Sequence, residues 1–413
     1  MTAVAGAGPL LMVIGFPNSI HVARWVNAVR AHGLRMVLFP SVVATPCPEL
    51  HPLREVGTRA DAEALLPGEL GIWPEGLVEV LAEADVEDAA CYPFATPATR
   101  TPHHMLPHPR SLAKAVRALR PELVHSMELQ HGGYLALDGK RRLGAQFPAW
   151  LASSWGSDIF LYRRLKAHRP LLRRLLRNLD ALHSDCARDL EWARKAGFAG
   201  TLFPQMPASG GVDFSAFPHP RELPPPSQRN VILVKGYHGW SGRGLHILLA
   251  IHLIAPRLQG FRIVVTHSGQ PMADMVEQLA GLHGLDISLE PYLGSSAEVI
   301  SRLASARLAV GFGISDGIST TLLEAMAVGT FMIQADTCCG SEWIAPGLTG
   351  LVVPPHDVVA LSEAILLAAT DDGLVDDAVA VNRSTVERRW SATINGPLIA
   401  NAYRELIAGK AHG

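Results

Sequence analysis

No run in the 413 residues approaches the roughly 20 consecutive apolar positions needed to span a bilayer, so any membrane contact is expected at a surface. Met1 to Pro9 lacks the positive segment of a secretory leader, and the apolar run behind it ends at Gly15, which reads as a first strand. Excess charge is missing too. The 36 Lys and Arg face 38 Asp and Glu, a net −2, which removes the general electrostatic argument for a nucleic-acid partner or strong membrane attraction. Cysteine is sparse and odd in number, five in all, with no C-x-x-C spacing, so neither a disulfide framework nor a zinc knuckle is indicated and a reducing, cytoplasmic setting is expected. The chain has no solenoid-period repeat and no D-x-D pair of the metal-chelating kind. Adjacent His103 and His104, like Cys338-Cys339, fix no coordination geometry, so no metal site is assigned.

What is present is a chain of two domain lengths, 48% apolar, in which short apolar runs alternate with helical periodicity. Leu10 to Ile14 reads as a buried strand, Gly15 to His21 as a turn, and Val22, Trp25, Val26 and Val29 as one face of a helix stopping at Gly33. Met36 to Phe39 returns as a strand. Cys47 to His108 gives helices and loops, with helical periodicity at Leu77 to Leu81. Further strands are expected at Leu123 to His125, Phe147 to Ser153, Ala181 to Ser184 and Thr201 to Phe203, with a helix from Cys186 to Ala196. Pro218 to Pro226 carries five prolines and reads as a linker. The pattern then repeats: strands at Val231 to Val234, Ile263 to Thr266, Ile287 to Leu289, Leu308 to Val310 and Phe331 to Ile333, with helices at Leu245 to Ile254, Val358 to Ala369 and Ile399 to Ile407.

The expected fold is therefore α/β, with two Rossmann-like, doubly wound domains facing across a cleft. The expected boundaries are residues 1–215 for a first domain, 216–228 for the linker, 229–390 for a second domain, and 391–413 for a C-terminal helix packing back on the first domain.

Two strand, glycine-loop, helix junctions fall in the second half, at Lys235 to Gly244 and Gly311 to Thr321. Such turns bring backbone close to a ligand and aim the free amides of a helix's first turn at it, which suits an anion. Lys235 and Arg243 on the first junction make a diphosphate site plausible, although ordinary surface charge accounts for them equally well. Thr321-Leu322-Leu323-Glu324 fits a capping box, and Asp316 fits a turn residue, so local pattern leaves both carboxylates open.

Seven residues separate Asp316 from Glu324. Together with Ser315-Asp316-Gly317, Leu323 to Gly329 and Gly347 to Pro355, this stretch resembles the E-x7-E region of the GT-B retaining glycosyltransferases of family 4. Gly211-Val212-Asp213 is similar to that family's N-G-V-D step, Gly236 with Arg243-Gly244 to its G-R…K-G phosphate loop, His125 to Glu128 to its H-x-H-E strand end, and Trp155 to Asp158 to its H-G-x-D loop. The chain departs from the pattern at Asp316 (for Glu), Tyr237 (for Arg), Arg243 (for Lys), and Met127 and Trp155 (each for His).

The resemblance implies a retaining transferase moving a sugar from a nucleotide diphosphate sugar, UDP-linked by family habit, to an acceptor hydroxyl. Asp316, Arg243, Lys235 and His125 would be the catalytic set. Glu324, Gly317, Ile318, Ser319, Thr320, Gly236 and Gly15 would hold the donor, with Glu324 at the ribose. Asn18, His21, Glu128 and Asp158 would face the acceptor, a glycan, a lipid-linked sugar or a small natural product. No cofactor is expected, protein cations standing in for a metal. The alternatives are a sugar-nucleotide epimerase or hydrolase on the same fold, and a silent nucleotide-sugar-binding module.

One feature stays outside this scheme. From Tyr162 to Arg177 seven Arg and Lys occur with no acid until Asp180. A solvated helical face is preferred here to contact with an anionic lipid surface or acidic acceptor, because Leu171, Leu172, Leu175 and Leu176 already supply a core-facing stripe. Trp240 and Trp343 could each stack on a ring or pack.

Overall fold

The computed structural model describes residues 8–66, 68–74, 105–266, 270–291 and 293–411. The periodic stretch at 77–81, the His103-His104 pair and the loop at 267–269 lie outside the described residues. The chain forms two compact units, Met1–Val212 with Ala392–Gly413, and Asp213–Ser391.

In the first unit the described strands are β1 (Leu10–Gly15), β2 (Arg35–Pro40), β3 (Leu53–Glu55), β4 (Leu70–Ile72), β5 (Leu123–Met127), β6 (Ala149–Ser154), β7 (Ala181–Ser184) and β8 (Thr201–Leu202). They form one parallel sheet in the order β3-β4-β2-β1-β5-β6-β7-β8. The unbroken apolar run of β1 follows from burial on both faces: Leu10, Met12 and Ile14 enter one core, Leu11 and Val13 the other. β3 and β4 are absent from the sequence reading because a period of two cannot register in three residues.

In the second unit β9 (Val231–Lys235), β10 (Arg262–Thr266), β11 (Asp286–Leu289), β12 (Ala306–Gly311), β13 (Phe331–Ala335) and β14 (Leu351–Val353) form a parallel sheet in the order β11-β10-β9-β12-β13-β14. The stretch expected to be a linker is instead packed on this unit. Its prolines start the short 3-10 turns Pro220–Glu222 and Pro226–Gln228. Ser227 donates from its amide (2.9 Å) and hydroxyl (2.6 Å) to Asp376, while Arg229 donates to the carbonyls of Pro224 (2.8 Å) and Ala306 (3.1 Å). Asp376 belongs to the helix Asp372–Trp390, which the hydrophobic pattern does not reveal. Among the described residues no helix is long and apolar enough to cross a membrane.

The helix Ala392–Ala411 belongs to the first unit. Ile399, Ala400 and Tyr403 join the core beneath β1, and Asn395 donates to the Gly210 carbonyl at 2.6 Å. Tyr403 also closes a buried polar chain. The Trp25 indole donates to the Tyr403 hydroxyl (2.7 Å), which leaves that hydroxyl to donate to His125 Nδ1 (2.7 Å). His125 then donates from Nε2 to Ser153 Oγ (2.7 Å), Ser153 donates to His183 Nδ1 (2.9 Å), and His183 Nε2 donates to the Met206 carbonyl (3.0 Å). One direction of donation satisfies every member only with both imidazoles neutral and protonated at Nε2.

Burial lowers both imidazoles, His125 well below its usual value and His183 to about 4, with mutual repulsion a smaller cause at His125. The unfolded imidazoles take up protons from about pH 6.5 downward while the folded ones resist, so stability is lost as pH falls from about 6.5 towards 4. The His183 share is on the order of 3 kcal/mol. Thermal melts across that window should show the loss in the native protein and a shallower one in His183→Asn. Equal slopes in the two proteins would rule out this linkage.

Candidate functional site

In a doubly wound sheet ligands sit beyond the carboxyl ends of the strands, where the connections diverge to either side. In the second unit that point lies between β9 and β12, neighbours whose connections depart in opposite directions. Lys235 ends β9, and Gly311 ends β12.

The two glycine loops that follow are joined to each other. Gly242 and Gly313 form an antiparallel bridge, the Ile314 amide donates to the Ser241 carbonyl (2.8 Å), and the Arg243 amide donates to the Phe312 carbonyl (2.9 Å). The fit requires glycine. A Cβ at Gly242 would lie 2.4 Å from the Tyr237 carbonyl oxygen, and one at Gly244 would lie 2.5 Å from that of Gly236. Around this junction Lys235, Tyr237, Ser241, Gly242, Gly311, Phe312, Gly313, Ser315, Asp316, Ser319, Gln334 and Cys338 line a cavity of about 40 Å³.

The polar groups of the cavity fall into two kinds. Asp316 is half-buried, and its Oδ1 accepts the Gly317 amide at 2.9 Å, so part of the carboxylate holds its own loop. The Lys235 side chain makes no hydrogen bond or ion pair with any described residue. Ser319 Oγ and Gln334 Nε2 are buried without a hydrogen-bond partner, at 4% and 2% residue exposure. An orphaned buried donor costs about 1–3 kcal/mol, which a ligand in the cavity would recover.

Ser319 is the N-cap of the helix Thr320–Val328 yet makes no capping hydrogen bond from its side chain, so the first-turn amides of that helix are not met by their own cap. The same boundary disposes of the capping-box alternative. With Ser319 as N-cap the box position is Leu322, and Glu324 stands two residues deeper, nearly fully buried.

Gly317 and Ile318 are buried in the loop and Thr320 opens the helix, though none of the three lines the cavity. The placement of Gly236 and Arg243 departs from the expected one. The Gly236 amide is taken by the Thr266 carbonyl at 2.7 Å. The Arg243 guanidinium donates to the carbonyls of Gly239 (2.8 Å) and Gly242 (2.9 Å), and Arg243 is not a wall of the cavity. It braces the glycine loop. Trp343 is buried under the Arg389 guanidinium, 3.8 Å from its ring centre, which is a packing role, whereas Trp240 is exposed.

The first unit has its own divergence point between β1 and β5, and Gly15 ends β1 there. Asn18 is exposed on the next turn, and His21 is half-buried at the start of the helix Ile20–Val29. His21 packs edge-on to Trp155 (5.4 Å between ring centres), and Phe16 packs on His131 (4.9 Å) and Trp155 (6.4 Å). These half-buried rings form an apolar shelf beside exposed Asn18.

Three expected site residues of this unit are turned inward. His125 is fully buried with both ring nitrogens engaged in the chain described above, so it is a core histidine and not a group at a ligand. Glu128, at φ +70°, accepts the amides of Gln130 (2.9 Å), His131 (2.6 Å) and Gly132 (2.5 Å) and so caps the short helical turn Leu129–Gly133. Asp158 accepts the amides of Leu129 (2.9 Å) and Trp155 (2.8 Å), tying together the loops after β5 and β6. Burial pushes the Asp158 carboxyl well above the usual range, helped by the Glu128 charge and opposed by those two amides.

The pattern of motifs missed Ser241, Gln334 and Cys338. A signal for Gln334 was present: it is a polar residue at the carboxyl end of an otherwise apolar strand, where a side chain can reach a crevice.

The family model for glycosyl transferases group 1 matches residues 218–384, and that for glycosyl transferase 4-like matches residues 82–186, together more than half of the chain. An exopolysaccharide phosphotransferase of Streptomyces coelicolor is 34% identical over 133 residues, 32% of this chain and 14% of that protein, so only a small part of the relative is matched. Sucrose-phosphate synthase from Thermosynechococcus elongatus superposes with a TM-score of 0.65 at 16% identity, over 97% of this chain and 100% of that one. Anabaena HepE, in complex with UDP-glucose, gives 0.65 at 11% identity, over 96% and 100%. At such identities the likeness establishes the fold, two parallel α/β domains of the GT-B kind.

Proposed function

The chain belongs to the glycosyl transferases group 1 family, and from that premise we propose that it transfers a sugar from a nucleotide diphosphate sugar to an acceptor hydroxyl with retention of configuration. The observation that carries the reading is the cavity between β9 and β12, which Lys235, with no side-chain partner among the described residues, lines together with two orphaned buried donors and an uncapped helix start. When the bond from the anomeric carbon to the β-phosphate oxygen breaks, negative charge builds on that oxygen. Fixed cations and amides aimed at it lower the barrier.

In this reading Lys235, Ser319 and Gln334 serve the diphosphate, Asp316 the sugar hydroxyls, and Glu324 the ribose. Arg243 acts through the loop it braces. A UDP-linked donor is supported by the UDP-glucose bound to Anabaena HepE. The acceptor, a glycan or lipid-linked sugar, is assigned to the first unit, where Phe16, His21 and Trp155 offer ring faces beside Asn18. Aromatic faces suit the apolar face of a sugar while a neighbouring polar group takes its hydroxyls.

Incubation with a panel of UDP-, GDP- and ADP-sugars tests the reading. Nucleoside diphosphate should appear only when an acceptor is present, and at an unchanged rate in EDTA, since Lys235 takes the place of a metal. Release or isomerisation without acceptor would replace transfer by hydrolysis or epimerisation. Binding without turnover would make the chain a silent module, and loss of rate in EDTA would remove the metal-free scheme.

A further inference from the structure

The basic run in the first unit folds as the helix His168–Asn178, with His168, Leu172, Leu175 and Leu176 buried. Its other face is exposed and carries Arg169, Arg173, Arg174 and Arg177, and Lys166 precedes it. Together they line an open concavity of about 730 Å³. None of the five makes an ion pair with a described residue.

Several helical cations elsewhere in the same protein have an acid one turn away, Arg59 with Glu63 (2.8 Å), Lys195 with Glu191 (2.5 Å) and Arg383 with Glu387 (2.6 Å), whereas this row of five has none. Uncompensated cations one turn apart repel each other, and the core contacts of the leucines need none of them. We propose that this face is a docking surface for an anionic lipid bilayer.

Several observations favour a bilayer over other polyanions. Arg169 to Arg177 spread along the helix for about 12 Å, a row long enough to meet several headgroups of a lipid surface. No aromatic residue stands on the exposed face among them to stack on bases, as single-stranded nucleic acid would require. The chain as a whole carries a net −2, so attraction to an anionic surface depends on local patches such as this one rather than on the whole molecule. The leucines point inward, which leaves adsorption by charge alone, without insertion. The inference does not depend on the donor-site reading.

The full chain should float with phosphatidylcholine vesicles containing roughly 30 mol % phosphatidylglycerol, not with pure phosphatidylcholine, and should be released at about 0.5 M salt. Each cation removed should weaken partitioning about fivefold. The triple reversal Arg169→Glu, Arg173→Glu and Arg174→Glu should therefore abolish flotation, while the triple Arg→Lys variant retains it. Circular dichroism checks that each variant is folded. Flotation of the reversal variant, absence of flotation in the native protein, or binding of an oligothymidine or heparin without vesicle binding would each overturn the proposal.

Discussion

Replacing Lys235 by alanine is expected to lower the rate of transfer by about 10²–10³-fold with the fold unchanged, the usual consequence of removing one group that stabilises a developing oxyanion. The expectation rests on position. Lys235 is the last residue of β9, held by ladder pairing with Thr266, and it lines the cavity from the end of a central strand. No described residue competes for that charge. Lys235→Met, which keeps most of the aliphatic stem, should be impaired as badly as Lys235→Ala, and Lys235→Arg should recover part of the rate. Steady-state kinetics should show the loss in kcat more than in KM, because the charge matters most when the diphosphate departs. Wild-type kcat in Lys235→Ala would remove Lys235 from the mechanism and the diphosphate site from this cavity.

Replacing Glu324 by alanine is expected to act differently, raising the donor KM about 10- to 100-fold with a smaller change in kcat. A charged hydrogen bond to a ribose hydroxyl, far from the breaking bond, binds ground state and transition state alike. Glu324 is nearly fully buried on the helix Thr320–Val328, where its neighbours Leu322, Leu323, Ala325, Met326, Ala327 and Val328 are all buried. Thermal melts of Glu324→Ala and Glu324→Gln separate a folding role from a binding one. If both variants keep the native melting temperature and the native donor KM, the assignment of Glu324 to the donor fails.

Much of the architecture was legible in the linear sequence because strands buried on both faces read as unbroken apolar runs. Leu10 to Ile14 and Leu308 to Val310 stand out for that reason, as do the glycine turns behind them. Elements without such a signature were not legible. β3 and β4 are too short to show a period, and the helix Asp372–Trp390 is too evenly polar to show a face. The proline-rich stretch read as a linker because composition reports stiffness but not what the stiff segment rests on. Its attachment through Ser227 to Asp376 links residues 149 positions apart.

By itself the sequence determined the two α/β halves, the strand, glycine-loop, helix junctions, and the presence of Lys235 at the first of them and of Asp316 and Glu324 at the second, since all of these are properties of neighbouring residues. Tertiary structure alone decided which polar groups are free. Arg243 and the Gly236 amide are consumed by nearby carbonyls, His125 by Tyr403 and Ser153, and Glu128 and Asp158 by loop amides, whereas Lys235, Ser319 Oγ and Gln334 Nε2 are left to the cavity. The reason is physical. Whether a side chain can act on a ligand depends on whether its hydrogen-bonding capacity is already spent: Arg243 and Glu128 are spent on loop neighbours whose placement the fold sets, and His125 and the Gly236 amide on partners distant in the chain.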